Sequence, residues 1–249
     1  MAIAPLFAAV VVGHAGLAMA QEPVEPRHDS APPRDHQGLI GELEALLDGV
    51  EPIEDVEAAF TQVRESSALR RSVTSSGVVR LCGQTTHWVT TEPYPSHMWV
   101  RNGEVTYYYP DDGLVEVYDL SAVADRLVIG PSIELDTLRD QFILTPGDAS
   151  DAGGLSVRLT PRHREQREYF LPMDILIDRG SGHLRSVNSV DADGNRTSLV
   201  FSKIRTNLGL REDDLEPAWP SGVTVRRTTL GAERLESATS EGHGNNERR

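Results

Sequence analysis

The chain has 249 residues, enough for one domain with flanking tails, and 39% of them are apolar, enough for a core. It carries 38 Asp and Glu against 24 Lys and Arg, a formal net charge of −14, and no basic stripe, which excludes a non-specific grip on nucleic acid. Cys82 is the only cysteine, so no internal disulfide can form.

The first twenty residues stand apart. Ile3 to Val12 is an apolar run too short to span a bilayer, and Ala18-Met19-Ala20 before Gln21 has the small-x-small form of a signal-peptidase site. Residues 1–20 are read as a signal peptide cleaved after Ala20, which predicts export. Residues 21–37, rich in Pro, His, Asp and Glu, read as a disordered linker, and residues 229–249 as a disordered tail. The folded unit is then 38–228.

Leu39, Leu43, Leu46, Leu47 and Val50 fall at helical spacing. The next stretch is open: Ile53, Val56, Phe60 and Val63 fit a second helical stripe, whereas Ala59, Thr61 and Val63 suit an alternating strand. Strand signals dominate from Ser72 onward. Val78 to Leu81, Thr86 to Thr91, His97 to Arg101, Val105 to Tyr109 and Leu114 to Leu120 are short β-favouring runs separated by Gly or Pro. Asn102-Gly103 is the strongest hairpin signal among them, because both turn positions tolerate positive φ. A polar helical interlude over 121–141 precedes further runs at Phe142 to Thr145, Leu155 to Thr160, Met173 to Asp178, His183 to Val190 and Thr197 to Arg205. The fold class is mainly β (α+β), a long antiparallel meander whose inner face must be covered.

Catalytic patterns are missing. There is no G-x-S-x-G elbow, Walker loop, H-E-x-x-H or paired C-x-x-C. His163 sits among Arg162, Arg164, Glu165 and Arg167, the pattern of a solvated loop. Asp191 to Asn195 looks like a calcium loop, but an EF-hand needs Gly sixth and Glu twelfth, where Gly194 is fourth and Ser202 twelfth, so a hairpin turn is the better reading. Cys82 reads as a packing residue. The aromatics say more. Trp88, Trp99, Tyr107, Tyr109 and their neighbours lie in the strands and can line a concave apolar face. Each buried methylene is worth about 0.8 kcal/mol, so a long acyl chain gains on the order of 10 kcal/mol before ordering costs.

The order of these pieces resembles the LolA family of outer-membrane lipoprotein carriers over residues 38–225. Leu39–Val50 is followed by Phe60-Thr61-Gln62, then Ser76-Gly77, His87-Trp88-Val89, Glu92-Pro93, Asn102-Gly103-Glu104 and Tyr107-Tyr108-Tyr109-Pro110. Ile175 to Gly182, Leu184 to Gly194 and Leu199 to Phe201 continue the series, and Asn207, Pro217, Trp219, Pro220, Gly222 and Val223 close it. The resemblance implies an unclosed, strongly curved half-barrel with a short helical lid over an apolar cavity, and a strand around residues 57–65. It implies cavity walls drawn from Trp88, Trp99, Tyr107, Tyr109, Val117, Ile175 and Ile177, with no cofactor, no metal and no catalysis. It also implies a monomeric periplasmic shuttle that takes acyl chains of a lipoprotein or another lipid from an inner-membrane exporter to an outer-membrane acceptor. The alternatives are a lipid-binding sensor of envelope stress on the same fold, or a glycolipid carrier. In one respect the chain departs from the family. Where the carriers have an Arg-Pro step before the tryptophan, Cys82-Gly83 stands here, so a charged lid latch would have to come from elsewhere, with Arg80 the nearest candidate.

Overall fold

The computed structural model describes residues 36–66, 71–119, 135–147, 153–162, 171–191 and 193–229. The expected signal peptide, the linker up to Asp35, the tail beyond Thr229, residues 121–134 of the interlude and His163 lie outside the described residues.

Helix α1 runs His36–Leu47. Its stripe buries Leu39 and Leu43 and leaves Glu42 and Glu44 outside. The open stretch is strand β1, Asp55–Ser66. Val56, Ala58, Phe60 and Gln62 are all buried there, a period of two that only a strand produces. Strands β2 (Arg71–Cys82), β3 (Thr85–Glu92), β4 (Ser96–Arg101), β5 (Glu104–Tyr109) and β6 (Leu114–Asp119) follow as an antiparallel meander. The β4–β5 turn is the expected one, with Asn102 at φ 50° and Gly103 at φ 77°.

After the undescribed stretch, α2 (Leu135–Gln141) leads directly into β7 (Phe142–Pro146). Strands β8 (Gly154–Pro161), β9 (Met173–Asp178), β10 (Leu184–Val190) and β11 (Arg196–Thr206) complete a second antiparallel run. Between β10 and β11, Asp191 Oδ1 accepts the N–H groups of Asp193 and Asn195, so a tight hairpin turn occupies that carboxylate. The described residues close with a 3₁₀ turn, Glu212–Leu215, and with β12 (Thr224–Thr229), which the local pattern did not announce. β12 pairs parallel with β6, a non-local contact that leaves no period in the sequence.

The twelve strands of the described residues form one sheet in the order β12-β6-β5-β4-β3-β2-β1-β11-β10-β9-β8-β7. β1 and β11 are the seam that joins the two meanders. The sheet is unclosed, with β12 and β7 at its ends, and a sheet this wide curls. α1 packs on β7 and α2, and Leu39, Leu43 and Leu138 join the core on one face of the sheet. Gly182 (φ +71°) marks where the β9–β10 turn meets the end of α1, since a Cβ there would stand 2.3 Å from the Val50 side chain.

Candidate functional site

The two faces of the sheet follow from its register. Ala58, Val79, Trp88, Met98, Tyr107 and Glu116 pair in sequence across β1 to β6, and so form one row on one face. Across the seam Phe60 pairs with Phe201. Beyond it Leu199, Val187, Ile175 and Val157 continue the face toward β8, with Ile177 beside Leu155 and Leu184. This inner face is one apolar cluster, and α1 and α2 pack on it. Its centre is aromatic: the Trp88 ring meets Phe60 edge-on at 5.1 Å and tilts against Phe201 at 6.0 Å. Gly77 makes this possible, because a Cβ on it would lie 2.9 Å from the Phe60 ring and 1.9 Å from the Val89 carbonyl oxygen. Only glycine fits there.

Five of the seven expected wall residues, Trp88, Tyr107, Tyr109, Ile175 and Ile177, lie on this face. Trp99 and Val117 do not. Trp99 pairs with His87 and Thr106, and Val117 with Thr106 and Arg227, which is the opposite row. Both are buried nonetheless. The 3₁₀ turn lies against β2 and β3, and Trp219 meets the Trp99 ring at 6.4 Å, so the C-terminal segment covers the outer face as a strap. Under it His87 stacks on Trp99 at 4.6 Å, and His87 Nε2 and His97 Nδ1 are 3.2 Å apart. Burial, then the neighbouring His97 and Arg80, push the His87 pKa down to about 4, and burial lowers that of His97.

Arg80 also belongs to the outer face, opposite His87. Its Nε donates to Glu57 Oε2 at 2.7 Å, and Arg205 donates to the other oxygen of Glu57. The Arg205 hydrogen bond, and then that of Arg80, hold the Glu57 carboxyl below the usual range against the effect of burial. The guanidinium expected to latch the lid is thus engaged on the other side of the sheet. The fastening that the structure does show was not anticipated: Arg139 of α2 pairs with Glu44 of α1, and Arg179 of the β9–β10 turn pairs with Glu42. An acidic face on α1 was the only signal for it.

A cleft of about 430 Å³ opens beside the end of α1, lined by Leu46, Val50, Ile53, Arg179, His183 and Thr206 among others, and none of the expected wall residues borders it. Among the described residues no three His, Cys, Asp or Glu side chains gather as metal ligands, and no helix is long and apolar enough to cross a membrane.

The profile of one protein family, described as "Outer membrane lipoprotein carrier protein LolA", matches residues 51–214. The chain belongs to the LolA family. No curated protein matches its sequence. Among solved structures, this LolA-family chain is similar to an uncharacterized conserved protein from Thermus thermophilus, at TM-score 0.47 and 14% identity over 77% of this chain and 98% of that one. It is also similar to a LolA superfamily protein from Nitrosomonas europaea (TM-score 0.40, 8% identity, 75% and 99% covered) and to the Mycobacterium tuberculosis lipoprotein LppX (TM-score 0.42, 15% identity, 74% and 98% covered).

Proposed function

We propose that this protein is a periplasmic carrier that binds the acyl chains of a lipoprotein or another lipid and moves them from the inner to the outer membrane. The observation that carries the reading is the unbroken apolar inner face, from Leu144 and Leu159 at one end through Phe201, Phe60 and Trp88 to Tyr107 at the other. Such a face binds by area alone, at about 25 cal/mol for each Å² removed from water, and needs no reactive group. α1 and α2 cover part of it through apolar contacts and exposed ion pairs. A cargo chain takes the place of contacts of the same chemistry, so loading and unloading exchange like for like at small net cost.

The test is mass spectrometry of lipid that co-purifies with the mature protein from its native envelope, together with uptake from vesicles. Stoichiometric acyl lipid is the expected result. Protein that is lipid-free under mild extraction and inert toward vesicles would overturn the carrier reading.

A further inference from the structure

At the β5–β6 end of the inner face the lining changes character. Tyr107 and Tyr109 lie two residues apart on β5 with parallel rings, centroids 6.1 Å apart at 3°, and Tyr118 of β6 stands perpendicular to Tyr107, at 6.1 Å and 84°. Glu116 is the register partner of Tyr107, so a carboxylate sits on the same face at the foot of the three rings. The Tyr118 hydroxyl donates to Glu116 Oε2 at 3.1 Å. Arg226 of β12 is the register partner of Glu116 but is exposed, and among the described residues no Arg, Lys or His forms an ion pair with Glu116. The Tyr109 hydroxyl is buried and, among the described residues, has no hydrogen-bond partner.

A half-buried carboxylate with no ion-pair partner among the described residues and a buried hydroxyl without a hydrogen bond are each costly in an apolar wall, and a ligand that satisfies both removes both costs. Two ring planes at right angles beside a carboxylate suit a cation, which is drawn to ring faces within about 6 Å of their centroids. An anion would meet Glu116 directly. Burial keeps the three phenols protonated, with Tyr118 pushed up to about 12, first by burial and then by Glu116.

We propose that Tyr107, Tyr109, Tyr118 and Glu116 form a site for the ammonium headgroup of a lipid whose acyl chains lie along the inner face. The inference rests on the carrier reading and adds a headgroup preference to it. From Tyr107 the register row runs through Met98 to Trp88, two strand spacings or roughly 10 Å away. A headgroup held at the tyrosines therefore directs its chains onto the aromatic centre.

The mature protein is incubated with vesicles of dioleoyl phosphatidylethanolamine, phosphatidylcholine or phosphatidylglycerol, and bound lipid is quantified by mass spectrometry after gel filtration. Both ammonium lipids should load roughly tenfold or more over the glycerol lipid. Glu116→Gln should bring all three within about twofold of one another, by lowering the first two and not the third. Tyr109→Phe should lower the ethanolamine lipid and spare the choline lipid, whose quaternary nitrogen has no proton to donate. Equal loading of the three lipids by the unmodified protein, or a preference that survives Glu116→Gln, overturns this proposal and leaves the carrier reading standing. Loading of none overturns both. If Glu116→Gln does not fold, the ranking by the unmodified protein decides alone.

Discussion

Asp55 and Asn207 hold the start of β1 to the end of β11 through main chain and side chain together. The Asn207 N–H donates to the Asp55 carbonyl at 3.0 Å, and the Asp55 carboxylate accepts the next three N–H groups, from Leu208, Gly209 and Leu210, at 2.8–3.0 Å. Asn207 itself sits at φ 57°, accepts from Glu54 N–H and donates to the Pro52 carbonyl. Asp55→Ala would strip three amides of their acceptor, at about 1–3 kcal/mol for each that water does not reach. The expected loss is roughly 3 kcal/mol in urea unfolding, larger than for any exposed carboxylate of the sheet. A loss under about 1 kcal/mol would mean that the strap does not depend on this anchor.

The two central tryptophans should separate function from stability. Trp88→Glu places an unpaired charge on the inner face and should abolish uptake of acyl lipid. Trp99→Ala removes an aromatic side chain from beneath the strap and should cost about 3–5 kcal/mol of stability, with lipid selectivity unchanged in whatever protein stays folded. Paired vesicle-uptake and denaturation measurements on the two variants test this. Reversed outcomes would exchange the roles of the two faces.

Acid should loosen the strap through His87 and His97. Both have folded-state pKa values below the unfolded 6.5, so the unfolded chain takes up protons first and stability falls as pH drops through that value. The loss from His87 is complete only below about 4 and is on the order of 2–3 kcal/mol, with none of it present above pH 7. Unfolding free energies at pH 7 and 4.5 for the unmodified protein and for His87→Gln with His97→Gln should differ in slope, the variant being flatter. Parallel slopes would assign the acid sensitivity to carboxylates elsewhere.

The ion pairs that hold α1 are exposed, so their energies should be small and salt-dependent. A double-mutant cycle on Glu44 and Arg139 should give about 0.2–1 kcal/mol, shrinking as ionic strength rises. Hydrogen exchange of α1 should quicken with added salt if these pairs, rather than Leu39 and Leu43, limit its opening. Exchange that ignores salt but rises in Leu43→Ala would show that apolar packing alone governs the helix.

The reading of residues 1–20 is checked by N-terminal sequencing of protein from its native host. A mature chain that begins at Gln21 is the expected result, and an intact Met1 would remove the basis for placing the protein in the periplasm.

The strands were readable because their boundaries are chemical. Asn102-Gly103 and Asp112-Gly113 mark turns that few other residues can make, and the runs between them are β-branched or aromatic. The side to which each strand points was not readable. His97, Met98, Trp99 and Val100 are apolar or aromatic on both faces of β4, since Met98 and Val100 pack on the inner cluster while Trp99 lies beneath the strap, so the usual alternation of polar and apolar residues is erased there. Trp99 and Val117 were misplaced for that reason. Arg80 stands two residues from Cys82 in sequence, but the register sets it opposite His87 on the outer face and Val79 beside Trp88, which spacing along the chain does not reveal. The pairs Glu44–Arg139 and Glu42–Arg179 join residues far apart in sequence, and opposite charges at that separation leave no local trace.

The seam between β1 and β11 also decides when the chain can finish folding. Residues 55–66 are made early but find one of their two neighbours only in residues 196–206, and the Asp55 carboxylate waits longer still for the amides at 208–210. The β1–β6 meander can pair locally as it emerges, yet one edge of β1 and the outer face around Trp99 stay bare until the C-terminal residues arrive. Non-local pairing of this kind is slow and leaves open strand edges exposed to other chains in the meantime. A chain that leaves a ribosome or a membrane channel N-terminus first therefore spends most of its transit with β1 half paired. It gains its full stability in a late step, once residues 196–229 are free to close over it.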